Sequence, residues 1–111
     1  MVATTAAERI DVVFRALANP TRRYIVERLG RGPATTGELG SAFHMAMPSF
    51  QQHLVLLEAC GVVTSTKHGR TRTYQLAPRR LRVAEDWLAR QRMQSERRND
   101  LLDAQTHPMR G

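Results

Sequence analysis

The feature that most constrains the fold is the stretch Met47–Gly61, which combines a helical apolar stripe with an abrupt change of pattern at its end. Phe50, Leu54 and Leu57 recur at i, i+4 and i+7, the spacing of one buried helix face. A proline near its start and a glycine at its end mark the two boundaries. The stretch is therefore predicted to be an amphipathic helix.

The opposite face of this helix is polar toward its N-terminal end and nearly uncharged. It carries Met47, Gln51, Gln52, Val55 and Glu58. Glutamine can pair bidentately with adenine in the major groove, so this face has the character of a helix that reads DNA. Any amphipathic surface helix shows a similar pattern, and the neighbouring segments must decide between the two interpretations.

Directly after this helix the pattern changes to that of a β-hairpin. Residues 62–67 are rich in β-branched side chains, and residues 71–76 alternate with Tyr74 and Leu76 facing inward. The turn between them is centred on Gly69. A hairpin that follows a reading helix is the wing of a winged helix.

Three helices are predicted before the reading helix, over residues 8–18, 22–29 and 36–43. Thr21 is the expected cap of the second helix, with Arg22 facing solvent. Thr35 or Thr36 caps the third, and with Thr35 as the cap Glu38 completes a capping box. Two helices joined by a short turn, the second with a polar front, form a helix-turn-helix.

A last long helix is predicted over residues 78–104. Leu81, Ala84, Leu88 and Gln91 lie on one stripe, with Trp87 beside it. A helix this long and this weakly amphipathic cannot pack entirely on a chain of 111 residues, so we expect it to pair with the same helix of a second copy.

Charge is concentrated in one region. The net charge is +7, and between positions 59 and 84 there is no acidic residue. Six cations fall inside that region: Lys67, Arg70, Arg72, Arg79, Arg80 and Arg82. This distribution favours a polyanionic partner such as nucleic acid.

Several classes of protein are not expected. The one cysteine, Cys60, cannot form a disulfide within a monomer, and no spacing typical of a zinc or redox motif is present. No nucleophile–base arrangement indicates an enzyme, so neither a metal nor another cofactor is expected. No signal segment and no long apolar run occur, which predicts a soluble cytoplasmic protein, associated with the nucleoid when it is bound to DNA.

Three segments together resemble the ArsR/SmtB-type winged-helix repressors: FRALANPTRRYIVERL, TTGELGSAFHMAMPSFQQHLVLLEACGVV and KHGRTRTYQL. The resemblance implies a homodimeric repressor that binds an imperfect palindrome in promoter DNA. The fold class is then mainly α with a small β-hairpin, in the order α-α-α-α-β-β-α. The single domain covers residues 8–104, with the helix-turn-helix at 36–61, the wing at 62–76 and tails at 1–7 and 105–111.

The resemblance also assigns surfaces. The first and last helices, 8–18 and 78–104, would form the dimer interface through Ile10, Val13, Phe14, Leu81, Ala84, Trp87, Leu88 and Gln91. The reading helix would enter the major groove and the wing would follow the backbone or minor groove. The expected DNA-binding residues are Met47, Ser49, Gln51, Gln52, His53, Lys67, His68, Arg70 and Arg72.

The chain departs from the family pattern at two positions of the reading helix. Ala46 stands where many members have a capping serine, and Gln51 replaces another frequent serine, which suggests different base contacts. Two alternative functions stay open. The fold can serve as a protein-interaction module that uses its last helix, or as a ligand- or redox-responsive repressor that acts through Cys60.

Overall fold

The computed structural model describes residues 6–106, with side-chain surroundings for residues 9–104. The positions 1–5 and 107–111, which make up most of the two predicted tails, lie outside this description. The elements run in the order α1 Ala6–Leu17, α2 Pro20–Leu29, β1 Ala34–Thr35, α3 Thr36–Gly40, α4 Met47–Ala59, β2 Val63–His68, β3 Thr71–Leu76 and α5 Pro78–Thr106. The winged helix-turn-helix architecture predicted from the sequence is confirmed.

The wing is part of a three-stranded antiparallel sheet in the order β1-β3-β2. The short strand β1 pairs Ala34 with Tyr74 and Thr35 with Thr73, and sequence analysis missed it because two residues carry no readable period. At the other end of the hairpin, Gly69 opens the two-residue turn with a φ of +63°. Glycine adopts this backbone region without strain, so the turn stays tight.

The start of α2 differs from the prediction. Asn19, and not Thr21, is the N-cap, and its Oδ1 accepts a hydrogen bond from the backbone N–H of Arg22 at 3.1 Å. Pro20 holds Asn19 in an extended conformation and itself occupies the first helical turn, where a missing N–H costs nothing. The prediction of Thr21 as the cap was therefore wrong.

The predicted capping box of α3 is confirmed. Thr35 Oγ1 accepts from the N–H of Glu38 at 3.1 Å, and Glu38 Oε1 accepts from the N–H of Thr35 at 2.9 Å. The second of these hydrogen bonds lowers the pKa of the Glu38 carboxyl. The helix ends at Gly40, earlier than predicted, and Phe43 beyond it packs its ring against Phe50 at a centroid distance of 5.4 Å.

The predicted apolar stripe of α4 forms the centre of the core. Phe50, Leu54 and Leu57 are at most 1% exposed. They pack with buried residues of the other elements: Ala16, Ile25, Leu29, Ala34, Leu39, Cys60, Val62, Val63 and Tyr74. The core therefore fixes α4 between the first helices and the wing. Between residues 6 and 106, no helix has the length and apolarity that a membrane crossing requires.

Candidate nucleic-acid interface

The side of α4 that faces away from the core forms a ridge that is uncharged from Met47 to Val55 and ends at the exposed Glu58. Met47, Ser49, Gln51 and Gln52 are exposed along it, and the side chain of Val55 is 65% exposed. Ala46 caps the helix through its backbone, without a side-chain hydrogen bond, as the sequence indicated. The ridge offers amide groups for base edges and a methyl-bearing side chain for thymine.

A cleft of about 620 Å³ separates this ridge from the wing. Its lining residues are Thr35, Thr36, Gly37, Gln51, Val55, Lys67, Arg70, Thr71, Arg72 and Tyr74. Cations and hydroxyls line the cleft and no carboxylate does, which suits an anionic strand. The sequence had no signal for the first three residues, because only the fold brings the start of α3 beside the wing.

The cations of the wing have two different environments. Lys67, His68 and Arg70 are exposed at the tip of the hairpin. Arg72 is half-buried, and its guanidinium donates a hydrogen bond to the hydroxyl of Ser65 at 2.8 Å. The tip is therefore free to meet a phosphate backbone, whereas Arg72 is already engaged within the protein.

His53 lies on the flank of α4, half-buried against α2. Its Nδ1 is 3.3 Å from the guanidinium of Arg22, which also donates to the carbonyls of Ala16 at 2.8 Å and Arg15 at 2.9 Å. Burial, followed by the positive charge of Arg22, lowers the pKa of the His53 imidazole. Neutral His53 thus accepts the hydrogen bond through Nδ1.

These contacts correct the prediction that Arg22 faces solvent. Its guanidinium caps the end of α1 by satisfying carbonyls that have no partner inside the helix. The neighbouring guanidinium of Arg23 donates to the carbonyl of Leu17 at 2.9 Å. Both arginines serve the junction of α1 and α2, which sequence spacing alone did not indicate.

On the other flank of α4, a groove of about 730 Å³ runs between α4 and α1. Its floor includes Val12, Leu56 and Cys60, and its rim includes Arg15 and Gln52. Arg15 is exposed and extends the positive surface beyond α4. A lone cation on an amphipathic helix has no distinctive spacing, so the sequence gives no signal for Arg15.

The predicted dimer residues range from buried to exposed. Val13 and Ala84 are buried within their own chain, which leaves them almost no surface for a partner. Phe14 and Trp87 form an edge-to-face pair at 6.1 Å, yet each ring remains more than one-third exposed, and Leu88 is 52% exposed. Ile10 and Leu81 are half-buried and Gln91 is exposed.

Within residues 9–104, no three histidine, cysteine or acidic side chains converge as a metal site would require. Cys60 is 9% exposed and ends α4, with its N–H donating to the carbonyl of Leu56 at 2.9 Å.

Comparisons with known proteins agree with this geometry. A family model described as a helix-turn-helix domain matches residues 17–66. The chain is 43% identical over 68 residues to the HTH-type transcriptional regulator Rv2034 of Mycobacterium tuberculosis, covering 61% of this chain and 64% of that one, less than two thirds of its length. It is 32% identical over 76 residues to the transcriptional repressor SdpR of Bacillus subtilis, covering 68% of this chain and 84% of that one.

Among solved structures, the crystal structure of the ArsR family transcriptional regulator RHA00566 matches with a TM-score of 0.78 and 41% identity. That match covers 85% of this chain and 97% of the other.

Proposed function

The chain belongs to the ArsR family of winged-helix transcriptional regulators, and from this premise we propose that it acts in the cytoplasm as a homodimeric repressor of promoter DNA. The observation that carries the proposal is the uncharged ridge of α4, flanked by a cleft with cations and no carboxylate. A ridge of amides beside a cationic wing matches a major groove bordered by a phosphate backbone.

In the proposed complex, α4 enters the major groove with Met47, Ser49, Gln51 and Gln52 toward the bases. The two glutamines are the base readers, because an amide can pair bidentately with adenine. Because His53 lies on the flank of α4 and is hydrogen-bonded to Arg22, it would lie at the edge of the major groove and connect α4 to α2.

The wing supplies affinity in this proposal. Lys67, His68 and Arg70 at the exposed tip bind phosphates or enter a narrow minor groove. Phosphate contacts position the protein and make binding depend strongly on salt, whereas the base contacts of α4 select the sequence.

The dimer is proposed from the exposed apolar side chains of α1 and α5. The rings of Phe14 and Trp87 are in contact, Leu88 follows Trp87 in the helix, and all three side chains remain partly open to solvent in one chain. The 29 residues of α5 make a helix about 43 Å long, which can pair with its counterpart. A two-fold axis there would place two copies of α4 about one turn of DNA apart.

The test is fluorescence anisotropy of the protein on the DNA upstream of its own gene and on a scrambled duplex, at several salt concentrations. We expect a preference of about a hundredfold or more for the upstream DNA and a salt dependence that reports several phosphates. Equal, weak binding to both duplexes would contradict the proposal at that promoter.

A second candidate function is a protein-interaction module on the same fold. It is favoured by Met93, Leu101 and Leu102, which are exposed in the second half of α5. Arg70→Ala combined with Arg72→Ala distinguishes the two. If the protein is a repressor, the double variant loses most of its DNA affinity. If the protein is an interaction module, the double variant binds its protein partner with unchanged affinity.

A further inference from the structure

Two side-chain hydrogen bonds connect the reading helix to both strands of the wing. Ser65 on β2 donates its hydroxyl to Oε2 of Glu58 on α4 at 2.9 Å. The same hydroxyl oxygen accepts a hydrogen bond from the guanidinium of Arg72 on β3 at 2.8 Å. Ser65 and Arg72 are half-buried, so water competes only partly for the hydrogen bond between them, whereas the carboxylate of Glu58 is exposed. We refer to these three residues as the Glu58–Ser65–Arg72 bridge.

The bridge lies where the wing extends beyond its pairing with strand β1. The strand β1 covers β3 only at Thr73 and Tyr74, so the hairpin beyond that point is two-stranded. A two-stranded hairpin is marginally stable alone. Arg72 is the first residue of β3 outside the cover of β1, and its carbonyl also accepts from the hydroxyl of Thr36 at 3.5 Å.

The charges around the sheet agree with this arrangement. Burial, followed by the negative charge of Glu58, raises the pKa of the Tyr74 phenol, whereas the charge of Arg72 lowers it. The register agrees with this, since Ser65 is paired with Tyr74 and Arg72 lies two residues before Tyr74, so their three side chains share one face of the hairpin.

We propose that the Glu58–Ser65–Arg72 bridge fixes the position of the wing relative to the reading helix, and that Arg72 is a positioning residue and not a phosphate contact. The inference rests on the proposed DNA-binding function. It assigns the phosphate contacts of the wing to its exposed tip, where the cations Lys67 and Arg70 have no side-chain partner within residues 9–104. Loss of the bridge would remove none of the cations assigned to phosphate binding, but it would let the wing move relative to α4.

The first test separates a positioning residue from a phosphate contact by salt dependence. Ser65→Ala and Arg72→Gln should each weaken binding to promoter DNA by about threefold to tenfold, with an almost unchanged slope against salt. Arg70→Ala should lower that slope by about one. The matched control is Thr66→Ala, which removes an exposed hydroxyl from the neighbouring position and should change nothing.

A double variant makes the test stricter. If Ser65 and Arg72 act through one bridge, the double variant Ser65→Ala/Arg72→Gln should have the same DNA affinity as the single variant that binds DNA less tightly. Additive losses, or a slope for Arg72→Gln that falls as far as that of Arg70→Ala, would overturn the inference, since Arg72 would then contact phosphate directly.

The second test needs no DNA. Hydrogen exchange of the wing, residues 63–76, should be faster in Ser65→Ala and Arg72→Gln than in the wild-type protein and in Thr66→Ala, while exchange in α2 and α4 stays the same. Unchanged exchange in the wing overturns the bridge whatever the DNA result. Faster exchange in a protein that shows no promoter preference would sustain the bridge and overturn the proposed function.

Discussion

The helices α4 and α5 both carry apolar residues at helical spacing, but only α4 buries its whole apolar stripe within its own chain. Phe50, Leu54 and Leu57 of α4 are fully enclosed, whereas Leu88 of α5 is 52% exposed. Because exposed apolar area is costly in water, the proposed dimer would cover the part of α5 that one chain leaves exposed, whereas the stripe of α4 needs no second chain.

The largest expected effect comes from breaking the enclosed stripe. Leu54→Ala should lower the free energy of unfolding by about 2–5 kcal/mol, because the side chain is fully buried and leaves a cavity. Urea unfolding at a fixed protein concentration measures the loss. Leu102→Ala on α5 is the matched control and should cost much less. Equal losses at the two sites would remove the contrast between the helices.

The second prediction concerns assembly. Leu88→Asp should weaken the dimer by about a hundredfold, because a carboxylate would replace an apolar contact at the proposed interface. Sedimentation equilibrium measures the dissociation constant. Val55→Asp on α4 makes the same change from an exposed aliphatic side chain to a carboxylate and should leave the dimer intact. A dimer that tolerates Leu88→Asp would place the interface elsewhere.

The third prediction sharpens the role of the ridge on α4. Gln51→Ala should reduce affinity for promoter DNA by about 1–3 kcal/mol, because one bidentate base contact is lost, and should leave binding to scrambled DNA unchanged. Anisotropy on both duplexes measures the difference. Gln94→Ala removes an exposed amide from α5 and should have no effect on either duplex. Uniform weakening on both duplexes would make Gln51 a backbone contact.

The fourth prediction is a pH dependence of stability. Since the pKa of His53 is lowered in the folded protein from its ordinary value of 6.5, the unfolded chain takes up a proton more readily. The free energy of unfolding should therefore fall as the pH falls below about 6.5 and level off below the folded pKa. Protonated His53 would also place two cations 3.3 Å apart. His53→Gln should flatten the profile, and an unchanged profile would refute the contribution of this contact.

Sequence patterns predicted most of the fold, whereas the predicted interface residues stay a prediction. The stripe of Phe50, Leu54 and Leu57 and the capping box of Thr35 were readable because each depends on neighbours within one helix. Contacts between elements were not readable. The β1 strand, the capping of α1 by Arg22 and the engagement of Arg72 all depend on residues at least six positions apart.

The smallest expected effect lies at the end of α4, where Cys60 is the one thiol of the chain. Cys60 is buried to 9% exposure beneath the groove between α1 and α4, so oxidants reach it poorly. Cys60→Ser should change DNA affinity less than twofold in either reductant or mild oxidant. It should also cost at most about 1 kcal/mol of stability, because the new hydroxyl can bond to a carbonyl one turn earlier. Anisotropy under both redox conditions measures the affinity. If oxidant weakens DNA binding by the wild-type protein but not by Cys60→Ser, then Cys60 at the end of α4 is a redox switch. The helix whose apolar stripe is enclosed within one chain would then also respond to a signal.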